Sequence, residues 1–274
     1  MAGVTPEQLE QLKAMIQAAA PHSASQSDWT DTVDVIGRFI HDAGWPLVVL
    51  AALILFRDPI SRISSFIYKD IRFEIDKKIE SAGKSAEKDH TGLPQGLPTT
   101  SELARSVEVE MLAKTVEPLE IRSTAMRLAG EYERVRANMS PGDSRTRRME
   151  VIVAKMRSFG GAVVPLRHEL IASQSPGQRL VVIASLQVTP DYELLDWLVD
   201  RLKEEKPFVG YHAALALLVA ARDPRASANL NALTSAREQL QQVESGLPTD
   251  SDRATTLAEF KSLIAHLESA KKNT

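Results

Sequence analysis

The sequence contains no cysteine, and this absence excludes several kinds of site at once. The 274 residues offer no disulfide, no thiolate nucleophile, and no cysteine ligand for zinc or an iron–sulfur cluster. Aromatic residues are scarce as well, at 5%, although 43% of the residues are hydrophobic. The composition therefore excludes wholesale disorder and predicts a core built mainly from leucine, isoleucine, valine and alanine.

A strong excess of one charge is also lacking, because 33 basic and 36 acidic residues leave a formal net charge of -3. The total therefore indicates neither general nucleic-acid binding nor an acidic tail. The distribution is uneven, however. The first 56 residues are acidic, whereas residues 119–180 hold ten arginines and one lysine against six acidic residues.

Long hydrophobic runs are rare, and the most apolar one covers residues 44–56 (GWPLVVLAALILF). This uncharged run is short for a bilayer, but a span of about 36–57 reaches the required length if its polar groups stay at the interface. Trp45 and Arg57 flank the run, as interfacial aromatic and basic residues do. We therefore expect residues 44–56 to form the core of a single transmembrane helix, with a core helix of a soluble domain as the alternative.

The basic residues after this run predict its orientation. Under the positive-inside rule they place the C-terminal domain in the cytoplasm and the N-terminus outside. We thus expect a single-pass protein of the inner (plasma) membrane, with membrane lipid as a partner and residues 1–43 as a short extracytoplasmic helical tail. The predicted membrane-interface residues are Trp45, Arg57, Arg62, Lys69 and Arg72.

Residues 58–80 carry an isoleucine every three or four positions among alternating charges, which predicts an amphipathic juxtamembrane helix. Its apolar face has three potential contacts: the inner leaflet, the same helix of a second chain in a homo-oligomer, or its own domain. The next residues, 81–100, contain three glycines and two prolines without an apolar period. That composition is typical of a flexible linker.

Residues 101–274 predict an all-α domain, because apolar residues recur there with a helical period and without strand alternation. One helix is expected to stop at 140–142 (SPG), and the next to end with Gly160 and Gly161 as C-cap residues. The short helices and tight connections favour stacked antiparallel helix pairs. Four residue–proline steps predict further helix starts: Ser175-Pro176, Thr189-Pro190, Lys206-Pro207 and Asp223-Pro224.

An internal repeat lies within this domain. Residues 177–187 (GQRLVVIASLQ) and 210–220 (GYHAALALLVA) align at an offset of 33, and a second helical pattern lies between them. Residues 175–222 thereby resemble HEAT-type α-solenoid repeats, which share a Pro-led first helix and a stack rich in Ala and Leu. The resemblance implies a HEAT-like scaffold that binds other proteins along a curved face.

Motifs for catalysis are missing from the sequence. It has no phosphate-binding glycine loop and no Gly-x-Ser-x-Gly elbow, and His168-Glu169 lacks the second histidine of a zinc-protease motif because Ala172 stands there. We therefore expect no enzyme activity, no cofactor and no metal site. His212 lies nearest to a predicted core and is expected to be a structural histidine, with a ligand or base as the alternative.

Arginines surround the turn at 140–144, and three of them fall in the first turn of the following helix, where a cation opposes the helix dipole. Nearby acidic residues offer ordinary surface ion pairs. Alternatively, the arginines form a patch for an acidic protein, anionic lipid or nucleic-acid phosphate. Few aromatic residues accompany them, which argues against recognition of single-stranded nucleic acid by stacking, and nucleic acid is not the expected partner. The patch comprises Arg134, Arg136, Arg145, Arg147 and Arg148, and the acidic candidates are Glu131, Glu133, Asp143 and Glu150.

Together these features predict a membrane-anchored helical scaffold or adaptor of a bacterial type. It would present a protein-interaction domain to an unidentified cytoplasmic protein, in a signalling or defence system. Two alternatives remain from other classes. One is a membrane-associated effector or enzyme whose site is assembled from distant residues, and the other is an oligomerising membrane element that the helical domain regulates.

Overall fold

The computed structural model describes residues 10, 49–50, 70–88, 96–247 and 250–272. The chain divides into two compact units, Met1–Ser65 and Phe66–Thr274, and almost all described residues belong to the second. Every regular element of the described residues is helical, and none of them forms a strand. The predicted all-α class is therefore confirmed.

The helices of the second unit are numbered here in chain order. The described part of α1 covers 70–88. It is followed by α2 (Thr100–Ala113), α3 (Pro118–Asn138), α4 (Asp143–Ser158), α5 (Gly160–Val163), α6 (Arg167–Ile171), α7 (Pro176–Val188), α8 (Leu195–Glu204), α9 (Pro207–Arg222), α10 (Leu230–Val243) and α11 (Ser251–Lys272).

Two of the four predicted proline-led helices start where expected. Pro176 opens α7, and the Ser175 side chain caps it by accepting a hydrogen bond from the backbone N–H of Gln178. Pro207 likewise opens α9. After Pro190 and Pro224 the chain first forms short 3-10 turns, so α8 and α10 begin several residues later than expected.

The core lies around α4, α7 and α9. Helix α7 packs against α3, α4, α5 and α9, while α9 also packs against α8 and α11. All residues from 149 to 158 are buried, so this part of α4 is enclosed on every side, whereas its first turns are partly exposed. The apolar residues that recur with a helical period in the distal helices are buried, among them Leu180, Ile183, Leu186, Leu195, Leu198, Leu202, Ala214, Leu217, Leu218, Leu233 and Phe260.

The expectation that Gly160 and Gly161 cap a helix is wrong. The helical path resumes directly as α5, and both glycines are buried. A β-carbon on Gly160 would lie 2.5 Å from Cγ2 of Val188 and 3.0 Å from Cα of Ser185. The missing side chain therefore permits α5 to approach α7, and no helix end requires it.

Helix α1 packs against its own domain. This is one of the three contacts considered for the amphipathic helix predicted over 58–80. Ile75 and Ile79 are buried in the core. The helix continues through 81–88, which composition assigned to the linker, because Ala82 and Ala86 extend the same buried face. Residues 58–69 of the predicted juxtamembrane helix and 89–95 of the linker lie outside the described residues.

The predicted localisation, a single-pass inner-membrane protein with its N-terminus outside and its C-terminal domain in the cytoplasm, is contradicted. In the part of the chain that is described, no helix is long and apolar enough to cross a bilayer. Counted in the sequence, the uncharged run 44–56 has thirteen residues, fewer than the about 20 that a helical span requires. Of the proposed span 36–57, only Val49 and Leu50 are among the described residues, and of the 1–43 tail only Glu10.

Candidate functional site

The five arginines of the predicted patch lie on the hairpin between α3 and α4. Gly142 makes its turn with a φ of 145°, a conformation that favours glycine. Arg134, Arg147 and Arg148 are exposed, whereas Arg136 and Arg145 are half-buried. The structure therefore brings all five to one corner of the domain, as the sequence indicated, but it divides them by burial.

The acidic side chains nearest in sequence serve other groups. Glu131 pairs with Nζ of Lys155 at 3.2 Å, and Glu133 accepts hydrogen bonds from Ser175 and the backbone N–H of Gly177. Glu150 is fully buried. Within the described ranges, none of the five arginines of the patch lies within 4.0 Å of a carboxylate oxygen. The expected surface ion pairs are thus not made there, although Asp143 stands in the first turn of α4, and the five arginines lack a direct carboxylate partner among the described residues.

Arg147 and Arg148 border a groove of about 560 Å³, hereafter the arginine groove. Val135 and Met139 of α3 and Val151 of α4 give it an apolar floor. Glu87 and Ser144 complete the lining. The lining of the arginine groove therefore combines two basic residues and one acidic residue, Glu87, with three apolar residues.

Arg136 and Arg145 line a different cavity, of about 280 Å³, hereafter the polar cavity. Phe208 and Tyr211 of α9 form part of its wall. Asp250 also lines it, but accepts hydrogen bonds from the backbone N–H groups of Asp252 and Arg253 at the start of α11. The remaining lining residues are Thr146, Met149, Glu150, Pro207 and Asp252.

Three polar atoms of two fully buried side chains lie at or behind this cavity. Oε1 and Oε2 of Glu150 and Nε2 of His212 have no hydrogen-bond partner among the described residues. Oε2 and Nε2 are 3.4 Å apart, a close approach that lacks hydrogen-bond geometry. Nε of Arg145 is likewise buried without a partner in this part of the chain. A buried donor and buried acceptors therefore converge on one cavity.

A buried polar chain continues from His212 into the core. Nε2 of Gln187 donates to the backbone carbonyl of His212 at 2.6 Å, and Nε of Arg157 donates to Oε1 of Gln187 at 2.6 Å. Arg157 also lies 3.7 Å from Glu102 of α2. The His212 ring also packs edge-on against the ring of Phe208, with centroids 4.7 Å apart. Together these contacts hold His212 in position.

Tyr211 is a wall residue with a raised pKa. Burial, followed by the negative charges of Glu150 and Asp252, raises the pKa of Tyr211 to about 12. The phenol therefore keeps its proton at neutral pH and remains a hydrogen-bond donor.

Sequence reasoning missed Arg157 and Gln187 as parts of a site. Both carry a signal in the sequence, because each is a polar residue in a segment whose apolar residues predict burial: 149–159 (MEVIVAKMRSF) and 180–188 (LVVIASLQV). Polar groups in such positions need a partner when buried. Neither segment indicates which residue serves as the hydrogen-bond partner.

Among the predicted membrane-interface residues, Arg72 forms an ion pair with Glu120 of α3 at 3.0 Å. Trp45, Arg57, Arg62 and Lys69 lie outside the described residues. Arg72 is thus engaged with the chain's own domain.

Comparison with known proteins finds no family model that matches the chain, no similar curated protein and no similar solved structure.

Proposed function

We propose that this chain is a helical adaptor that binds an acidic segment of another protein in the arginine groove. The observation that carries the proposal is the positive charge of Arg147 and Arg148, which line the groove, are exposed and lack carboxylate partners among the described residues. A segment that alternates acidic and apolar residues complements both the rim and the floor of the groove. The floor adds apolar contact to the charge pairing.

A HEAT-like stack is the scaffold in this proposal. Helices α7 and α9, which contain the two copies of the sequence repeat, pack directly against each other. Such packing supports a repeat architecture, in which one face is free to carry a partner.

The test uses a fluorescein-labelled peptide of repeated Glu-Glu-Leu and follows its anisotropy as the full chain is added. We expect saturable binding that weakens with salt, because the contacts are exposed charge pairs. The double variant R147E/R148E should weaken binding by about tenfold, since each exposed pair contributes about 0.2–1 kcal/mol and charge reversal adds repulsion.

The matched control is R122E/R222E, which reverses two exposed arginines that pair with Glu169 and Glu259. It should bind the peptide like the unaltered chain. Equal loss in both double variants would reduce the effect to overall charge and overturn the proposal. Tighter binding of a short duplex DNA than of the peptide would likewise overturn the choice of an acidic protein partner.

A further inference from the structure

The polar cavity differs from the arginine groove in one respect: it presents buried groups of both charges. Nε of Arg145 is a buried cationic donor, and the two oxygens of Glu150 are buried acceptors. None of these three atoms has a hydrogen-bond partner among the described residues. Such groups normally find a partner, because an unmatched buried polar atom is unfavourable by about 1–3 kcal/mol.

The two side chains do not satisfy each other. They lie five residues apart on α4, and no ion pair joins them within 4.0 Å. Arg136 supplies a second guanidinium from α3, and its Nη1 donates to the hydroxyl of Tyr132 at 3.3 Å. The cavity is therefore lined by the two arginines and by the carboxylate of Glu150, and two further carboxylates, those of Asp250 and Asp252, also belong to its lining.

Size limits what can enter. At about 280 Å³ the cavity holds the equivalent of roughly nine water molecules, which suits a small metabolite and excludes a folded partner. A purely anionic ligand leaves Glu150 unmatched, and a purely cationic ligand leaves Arg145 unmatched.

We propose that the polar cavity binds a small zwitterion, whose carboxylate or phosphate pairs with Arg145 and Arg136 and whose ammonium group donates to Glu150. The Phe208 and Tyr211 rings enclose its carbon chain. Nε2 of His212 lies 3.4 Å from Oε2 of Glu150, and Gln187 donates a hydrogen bond to the backbone carbonyl of His212. This assignment does not depend on the adaptor function, because the arginine groove has a different lining.

The test is isothermal titration calorimetry of the full chain with a graded series of zwitterions: β-alanine, 4-aminobutyrate and 6-aminohexanoate. Butyrate and butylamine serve as analogues with one charge each. We expect at least one zwitterion to bind with a Kd of about 1 mM or below, and the single-charge analogues to bind at least about tenfold more weakly. Binding of no zwitterion at about 10 mM, or equal binding of butyrate, would overturn the proposal.

Two variants locate the binding. E150Q keeps the shape of the side chain and removes its charge. R145M removes the guanidinium group and keeps a flexible apolar side chain. Each should weaken zwitterion binding about tenfold or more. R147M, which alters an arginine that does not line the cavity, should bind zwitterions normally. Circular dichroism checks that each variant folds. If E150Q does not fold, the affinity of R145M alone tests whether the zwitterion binds in the polar cavity. Unchanged affinity in a folded R145M would contradict the site. A negative result for the zwitterions does not affect the peptide test of the arginine groove. A negative peptide result likewise does not affect the zwitterion proposal.

Discussion

Nε2 of His212 lies 3.4 Å from Oε2 of Glu150, and both side chains are fully buried. Neither atom has a hydrogen-bond partner among the described residues. The pair joins two parts of the molecule: the polar cavity on one side of Glu150, and the chain through Gln187 to Arg157 on the far side of His212. The contribution of this pair to the free energy of unfolding can therefore be measured by substituting Glu150 or His212.

The first prediction concerns Glu150 itself. We expect E150Q to raise the free energy of unfolding of the ligand-free chain by about 1–3 kcal/mol, because a neutral amide of equal shape loses less hydration on burial than a carboxylate. Urea unfolding measures the change. A loss of stability would instead show that Glu150 and His212 form a favourable ion pair. A gain in stability together with weaker zwitterion binding would be the signature of a functional residue retained at the expense of stability.

The second prediction compares two helical glycines. G160A should destabilise the fold by about 1–3 kcal/mol, since the added β-carbon would lie 2.5 Å from Val188 and 3.0 Å from the Ser185 backbone. G130A is the matched control: it lies within α3, and nothing in the described structure lies within 4 Å of its added β-carbon. It should stabilise by about 0.5–1 kcal/mol through helix propensity. Equal effects in thermal unfolding would mean that α5 and α7 do not approach closely.

The third prediction concerns acid stability. The carboxylate of Asp223 accepts hydrogen bonds from Nε and the backbone N–H of Arg225, both at 2.8 Å, and chiefly for this reason its pKa lies below its ordinary value. A lowered folded-state pKa stabilises the fold above the unfolded pKa of about 3.9, and the contribution is lost as the pH falls through the folded value.

D223N removes that titration. Its free energy of unfolding should be lower than that of the unaltered chain at pH 6 and should fall less steeply between about pH 5 and pH 3. Urea unfolding at several pH values gives both slopes. Parallel slopes would show that Asp223 keeps its ordinary pKa in the fold.

The candidate site illustrates how far sequence patterns reach. The clustering of Arg134, Arg136, Arg145, Arg147 and Arg148 followed from their positions around one turn. Their division between a groove and a cavity did not, because it depends on α1 and α9, which approach from distant parts of the sequence. Likewise, Glu131 was a candidate partner for these arginines, yet Lys155 takes it together with Glu80.

Patterns in the sequence were enough to predict the all-α class, the proline-led starts of α7 and α9, and the buried faces of the distal helices. These features follow from local backbone preferences and from the helical period of apolar residues, which act within a few turns of chain. The three-dimensional structure was needed to see that α1 continues through 81–88 and that the glycines at 160 and 161 permit close packing. It also brought Glu150, Arg157, Gln187 and His212 together. The physical reason is that each of these outcomes depends on contacts between helices distant in sequence, which no local pattern specifies.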